Sequence, residues 1–284
     1  LGVIFMKKYG LTFIRVIILT IIAIPMLLPI IWMIMSSFKL QNEIFKYSTL
    51  SWQLFIPVDW TFQNYVDIFM DPQNPFGVYF VNTLFVALTI TTLGLIVNSM
   101  AAFAIAKLRL PYKSFFLMLF LSTLAIPQEV LMIPQYLLMQ DLEWLNSFKA
   151  LIIPQIVWAF GIFLLVQFFS EVPRDILDAA RMDGASWFKV YYRIVLPTAV
   201  PALITLGLVT FVTQWDNFLW PLIVINDDSK QVITVAIASY QALQGISWGK
   251  ILAAATVSSV PIIIVFLFLQ RYYVRGVTMS GVKG

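Results

Sequence analysis

"DAARMDGASWFKVYYRIVLP", residues 178–197, is the most polar stretch deep inside a chain that is otherwise mostly apolar. It carries Asp178, Arg181, Asp183, Lys189 and Arg193, and long apolar segments flank it on both sides. Of the 284 residues, 61% are hydrophobic and 11% charged, against about 45–50% and about 25% in soluble domains. A soluble fold could not hide so much apolar surface, so the class is integral membrane protein. There is no Cys and no His. That excludes disulfides, thiol nucleophiles, most zinc sites and the usual general base.

Outward from this segment, spans show as gaps between charges. They predict an all-α, polytopic membrane protein: a single transmembrane domain over 1–284 with six helices at roughly 14–36, 79–105, 115–137, 150–170, 197–225 and 251–271. Each run is near or above the roughly 20 residues a helix needs to cross a bilayer. The third is interrupted by Glu129. Alternating ten-residue strands are absent, which argues against a β-barrel. Met6 in "MKKYG" reads as a start residue, which leaves residues 1–5 of uncertain origin. The apolar run after Lys7 and Lys8 reads as a span rather than a signal peptide, because it is long and no small-x-small site follows it.

Six spans put both termini on one side. Only Lys39, Lys46, Lys149, Lys230 and Lys250 fall on the other side, and the remaining Lys and Arg gather with the termini. By the positive-inside rule the termini, and residues 171–197 with them, are cytoplasmic. The outer loops carry Glu43, Asp59, Asp67, Asp71, Asp141, Glu143, Asp227 and Asp228, ordinary residues for solvated loops. Pro25, Pro29, Pro127, Pro134, Pro154, Pro201, Pro221 and Pro261 lie inside or at the edges of spans and are expected to bend them. Transporters favour broken helices, but proline is common in membrane helices generally. No internal repeat or low-complexity segment is visible.

The charged segment reads as two short helices meeting at a glycine. Pro173 suits a first helical position, with Ser170 or Glu171 meeting early amides. Arg174 and Asp178 (i,i+4) and Asp178 and Arg181 (i,i+3) are spaced to pair along one face. Gly184 fits a left-handed helix end, and Ser186 reads as the N-cap of a second helix running into span five. Such an element could lie among lipid headgroups. The small patch Ala179, Ala180 and Gly184 also suits close approach of another protein, with flanking charges fixing register.

The spacing Asp178-Ala179-Ala180, three residues, Gly184, nine residues, Ile194-x-Leu196-Pro197 resembles the cytoplasmic "EAA" signature of ABC importer permeases. The one departure is Asp178 where the family has Glu. "QWDNFLWPLIV" and the terminal "SGVKG" are further similar to carbohydrate permeases of the maltose-system type, and the likeness extends over all six spans. It implies an ABC importer permease fold whose coupling segment, 171–197, is a handle for a cytoplasmic ATPase through Asp178, Ala179, Ala180, Gly184, Ile194, Leu196 and Pro197. It also implies a bacterial inner-membrane location, a second homologous permease subunit in a heterodimer, two ATPase subunits and an extracellular solute-binding protein. No nucleic acid is implied. The tail "RGVTMSGVKG" reads either as a disordered end or as docking on the ATPase through Gly276, Ser280, Gly281, Lys283 and Gly284, and the resemblance favours docking.

This chain is not expected to be the motor or an enzyme. "GISWGKI", 245–251, has three residues between its glycines instead of four and no Ser or Thr after Lys250. No cofactor is expected on this chain, and ATP with Mg belongs to the partner ATPase.

Ionisable residues within spans usually face a cavity or partner, and Glu129 and Asp216 are two such residues. With Gln128, Gln155, Trp158, Gln214, Trp215 and Asn217 they form a candidate substrate pathway, with Gln167 nearby in sequence. Carboxylates and amides hydrogen-bond sugar hydroxyls, and aromatic faces stack on sugar C–H surfaces. The same residues also suit interhelical polar contacts and apolar filling. The resulting expectation is half of a translocation pathway for a carbohydrate, an oligosaccharide first. The alternatives are a polyol or glycerol phosphate permease, a proton-coupled transporter using Glu129 and Asp216, and a membrane scaffold.

Overall fold

A computed structural model describes residues 2–47, 49, 51–72, 74–240 and 246–280, with side chains described between 13 and 270. The expectations for Leu1 and for the end of the tail, Gly281, Lys283 and Gly284, lie outside the described residues. So do the side chains of Gly276 to Ser280. Every regular element among the described residues is helical.

Among the described residues, four helices are long and apolar enough to cross a membrane: Phe13–Ser36, Phe76–Lys107, Phe148–Ser170 and Trp248–Gln270. Two pairs qualify only when each is taken as one broken span. Lys113–Thr123 and Gln128–Asp141 are bent by 96°, and Trp187–Thr198 and Val200–Trp215 by 81°. This gives six spans if each bent pair is counted once.

The breaks differ from the expectation of continuous runs over 115–137 and 197–225. Pro127 takes the extended N-cap position before Gln128, with φ −58° and ψ 137°, so the first helix must stop short of it. Ala199 leaves helical geometry just ahead of Val200–Pro201, and the helix that follows ends at Trp215. Leu219–Val224 is then a separate short helix that contains Pro221. Pro154 enters a 3₁₀ turn, Ile153–Gln155. Pro25, Pro29, Pro134 and Pro261 remain inside helices. A proline therefore breaks a span here mainly where a helix begins at it or just before it.

The chain divides into two compact units, Leu1–Phe76 with Ile237–Ser259, and Gly77–Ala236 with Val260–Gly284. The first is tied by polar contacts that follow the span Phe13–Ser36. Asn64 Nδ2 donates to the carbonyls of Ser37 (2.8 Å) and Lys39 (2.9 Å). Gln41 donates to Ile246 O (2.8 Å) and accepts from Gly249 N (3.0 Å). Lys39 is fully buried, and its Nζ donates to Gln53 O and Leu54 O, both at 2.9 Å. Burial pushes the Lys39 ammonium below the ordinary lysine range, and the Glu43 carboxylate partly opposes this.

Among the described residues, the second unit holds three apolar clusters. One gathers Ala102, Phe103, Ile162, Leu165 and Phe169 with Leu177, Val190, Tyr191 and Val195. A second is built on Ile90, Leu151, Trp220 and Val224, where the Trp220 indole donates to Ala150 O at 2.9 Å. The third packs Trp215 on Ala87 and Phe211, with Phe80 edge-on at 5.5 Å.

Candidate functional site

The charged segment is seated on protein along one side. Leu177, Ala185, Val190, Tyr191 and Val195 are buried in the first cluster, so the segment is not merely afloat among headgroups. Its first helix is Arg174–Met182. Pro173 is the N-cap, not the first helical residue, and no side chain caps this end. Ser170 is committed elsewhere, its hydroxyl donating to Val166 O at 2.7 Å.

Gly184 has φ +77°, a left-handed helix end. Ala185 N donates to Ala180 O across it at 3.0 Å. Ser186 caps the next helix, Trp187–Val190, by accepting from Lys189 N. A π turn, Tyr191–Val195, and a last turn, Leu196–Thr198, follow.

The expected ion pairs of Asp178 with Arg174 and Arg181 do not form. Among the described residues the one salt bridge joins Lys230 and Asp227. Arg181 instead donates to the Ala185 carbonyl and lies 5.0 Å from the Trp187 ring centroid. An exposed i,i+3 pair such as Asp178–Arg181 contributes only about 0.2–0.5 kcal/mol, so a carbonyl and an aromatic face together outcompete it. Asp178, Ala179, Gly184 and Pro197 are exposed, while Ala180, Ile194 and Leu196 are half-buried. Ile176, Met182, Phe188 and Tyr192 add exposed apolar surface.

The same unit contains a cleft of about 360 Å³. Its polar lining is Thr123, Gln128, Gln135, Gln155, Thr210, Thr213 and Gln214, with Trp158 as the aromatic wall. Two helix breaks shape it. One is the turn between Thr123 and Gln128. The other is the interruption after Ile153–Gln155, before the helix Ala159–Ser170.

The second break leaves backbone groups without helical partners, and Asn98 meets them. Its Nδ2 donates to Ile156 O and its Oδ1 accepts from Trp158 N, both at 3.1 Å. Asn98 is 3% exposed, so these bonds are shielded from water. Gly94 permits the approach: a Cβ there would stand 3.2 Å from Ile156 O.

Four of the eight expected pathway residues line the cleft: Gln128, Gln155, Trp158 and Gln214. Gln128 donates to Gln155 Oε1 at 3.4 Å, and Gln155 Nε2 is buried without a partner among the described residues. The other four lie elsewhere. Trp215 is fully buried in the third cluster, because consecutive helix positions point about 100° apart and Gln214 takes the cleft side. Glu129 and Asp216 are exposed and not on the lining, and Asn217 borders a small separate void beside Thr83 and Gln214. Gln167 is exposed outside the lining too. Thr123, Gln135, Thr210 and Thr213 were not anticipated. Thr210, Thr213 and Gln214 follow an i, i+3, i+4 pattern and Gln128 and Gln135 an i, i+7 pattern, so the polar periodicity of a helix face was the available signal.

Residues 92–279 match the family described as "Binding-protein-dependent transport system inner membrane component". The chain belongs to this family. The match spans Asn98, the cleft and the charged segment, so the protein is an inner-membrane permease component of an ABC importer, and not by family an enzyme. Relatives cover nearly the whole chain. The arabinooligosaccharides transport system permease protein AraQ of Halalkalibacterium halodurans is 32% identical over 93% of each chain. The trehalose/maltose transport system permease protein MalG of Thermococcus litoralis is 31% identical over 93% of this chain and 94% of its own. The fold matches a chain of a bacterial ABC transporter involved in the import of the acidic polysaccharide alginate. Its TM-score is 0.79 at 23% identity, covering 94% of this chain and 98% of that one.

Proposed function

We propose that this permease passes an uncharged carbohydrate, an oligosaccharide first, and forms half of the pathway. The second half is contributed by a homologous permease subunit. Two ATPase subunits bind and hydrolyse ATP with Mg, a solute-binding protein delivers the substrate from outside, and both termini face the cytoplasm. Residues 171–197 engage the ATPase through the exposed face around Ala179 and Gly184, and ATP-driven closure opens the cavity outward.

The cleft is the observation that carries the reading. Its four amides and three hydroxyls each both donate and accept, as sugar hydroxyls do. Trp158 offers an apolar face for sugar C–H surfaces. An anionic solute would find neutral donors but no Lys or Arg among the lining residues to offset the cost of removing its charge from water. The relatives named for arabinooligosaccharides and for trehalose and maltose agree in substrate class.

The test is uptake in proteoliposomes holding the full assembly with its binding protein. The probes are radiolabelled neutral oligosaccharides and the same sugars oxidised to uronates. Neutral-sugar uptake should require ATP inside and survive a protonophore. Uptake that follows a proton gradient without ATP, or that prefers the uronates, overturns the proposal.

A further inference from the structure

We propose that the adjacent residues Asn98 and Ser99 are the joint through which movement of the charged segment reaches the cleft, an inference that rests on the ATPase-docking role proposed for residues 171–197. Ser99 Oγ and Tyr191 Oη are hydrogen-bonded at 2.8 Å in a buried contact. Tyr191 opens the π turn that follows the second helix of the segment, and its ring lies 5.3 Å from Phe103 on the same span as Ser99.

That span also grips the other end of the segment. Lys107 is 7% exposed, and its Nζ donates to Val172 O (2.6 Å) and Ser170 O (3.3 Å), just before the first helix. The helix Phe76–Lys107 therefore holds residues 170–191 at both ends. One residue before Ser99, Asn98 fixes the break at Ile156 and Trp158. Pro154, Gln155, Val157, Trp158 and Ala159, the residues of that break, line the cleft.

The route is thus two buried side-chain contacts on consecutive residues of one rigid helix. A displacement of the segment that shifts Tyr191 must either move Ser99 or break a buried hydrogen bond. A displacement of Ser99 carries Asn98 with it, and Asn98 holds both a donor and an acceptor of the cleft wall. Ser99 and Tyr191 are positioning residues here and do not touch the solute.

The experiment uses the whole assembly in proteoliposomes with its binding protein and the neutral oligosaccharide probes. Ser99→Ala and Tyr191→Phe each delete one hydroxyl and leave the packing in place, and Ser99→Thr restores the hydroxyl. Solute moved per ATP hydrolysed should fall about fivefold in either single variant. It should fall no further in the double variant, and Ser99→Thr should retain it. A reporter cysteine, Val157→Cys, reads the cleft directly because the native chain has none. ATP binding should change its labelling rate in the parent, and this ATP dependence should vanish in Ser99→Ala while labelling without ATP stays the same.

Unchanged stoichiometry in both single variants, or losses that multiply in the double variant, overturn the joint. Gly184→Val, run alongside, separates the two levels. If it uncouples while the pair variants transport normally, the joint fails and the docking role stands. If Gly184→Val itself transports normally, the docking role fails and the joint falls with it.

Discussion

Replacing Asn98 with leucine should weaken the fold and the cleft together. The two side chains share one branched outline of heavy atoms, so the change removes the hydrogen bonds and puts bulkier methyl groups in place of the amide. It leaves Ile156 O and Trp158 N unpaired beside a residue that is 3% exposed. Each orphaned buried group costs about 1–3 kcal/mol, so two cost about 2–6 kcal/mol. The added apolar side chain gains little in return, because lipid is as apolar as leucine. The lower end is the better figure, about 2 kcal/mol, since a chain unfolded within lipid also finds partners. Unfolding of the assembly in mixed micelles, titrated with SDS and followed by tryptophan fluorescence, should show a lowered midpoint. ATP-driven uptake should drop as well, since Trp158 and Gln155 lose their support. A midpoint equal to the parent's would refute the reasoning, because it would mean that the break at 156–158 does not depend on Asn98.

Gly184 makes a different kind of demand. A Cβ there meets nothing within 4 Å, so Gly184→Val should cost about 1–2 kcal/mol through its φ of +77° alone while also uncoupling ATP hydrolysis from uptake; Gly184→Asn, read by the same SDS titration, should recover most of the stability. Gly249→Ala should destabilise the first unit by forcing Asn64 away, since the new Cβ would stand 2.3 Å from Asn64 Oδ1; limited proteolysis within 38–64 should then accelerate. Cysteines placed singly in 41–70 or 226–240 should react with an impermeant reagent added outside intact cells. Ser186→Cys should not, and its labelling from outside would reverse the orientation.

Local chemistry in the charged segment was legible from sequence. Gly184 and Ser186 mark the helix end and the next cap because both effects act within four residues. The Arg174–Asp178–Arg181 pairing was misread, since spacing shows which charges can meet but not that Arg181 has Ala185 O and Trp187 within reach. In the cleft, amides stand out against apolar spans, which is why Gln128, Gln155 and Gln214 are legible, whereas the amide Gln135 is legible only through its i, i+7 relation to Gln128. The threonines did not stand out, because threonine is ordinary in a membrane helix and its hydroxyl often bonds its own backbone, as Thr205 does to Pro201 O. Trp215 was placed in the pathway by its neighbours in sequence, whereas its neighbours in space are Ala87 and Phe211. Asn98 escaped notice altogether. Its partners lie 58 and 60 positions away, and nothing within a window of its own span distinguishes it from a polar residue facing another helix.

The three contacts made by the helix Phe76–Lys107 also fix its length. A helix turns about 100° per residue, so the nine steps from Asn98 to Lys107 set these two side chains about 180° apart, and the eight steps from Ser99 to Lys107 leave those two within about 80°. One side of the cylinder therefore serves the cleft wall, and the other serves the charged segment. Substitutions between residues 100 and 106 preserve that phase. An insertion or deletion of a single residue there would swing Lys107 by about 100° away from the carbonyls of Ser170 and Val172. Side-chain changes in this interval are limited by packing, since Ala102, Phe103, Ile105 and Ala106 are buried in the first cluster, whereas a change in length is barred by the phase itself.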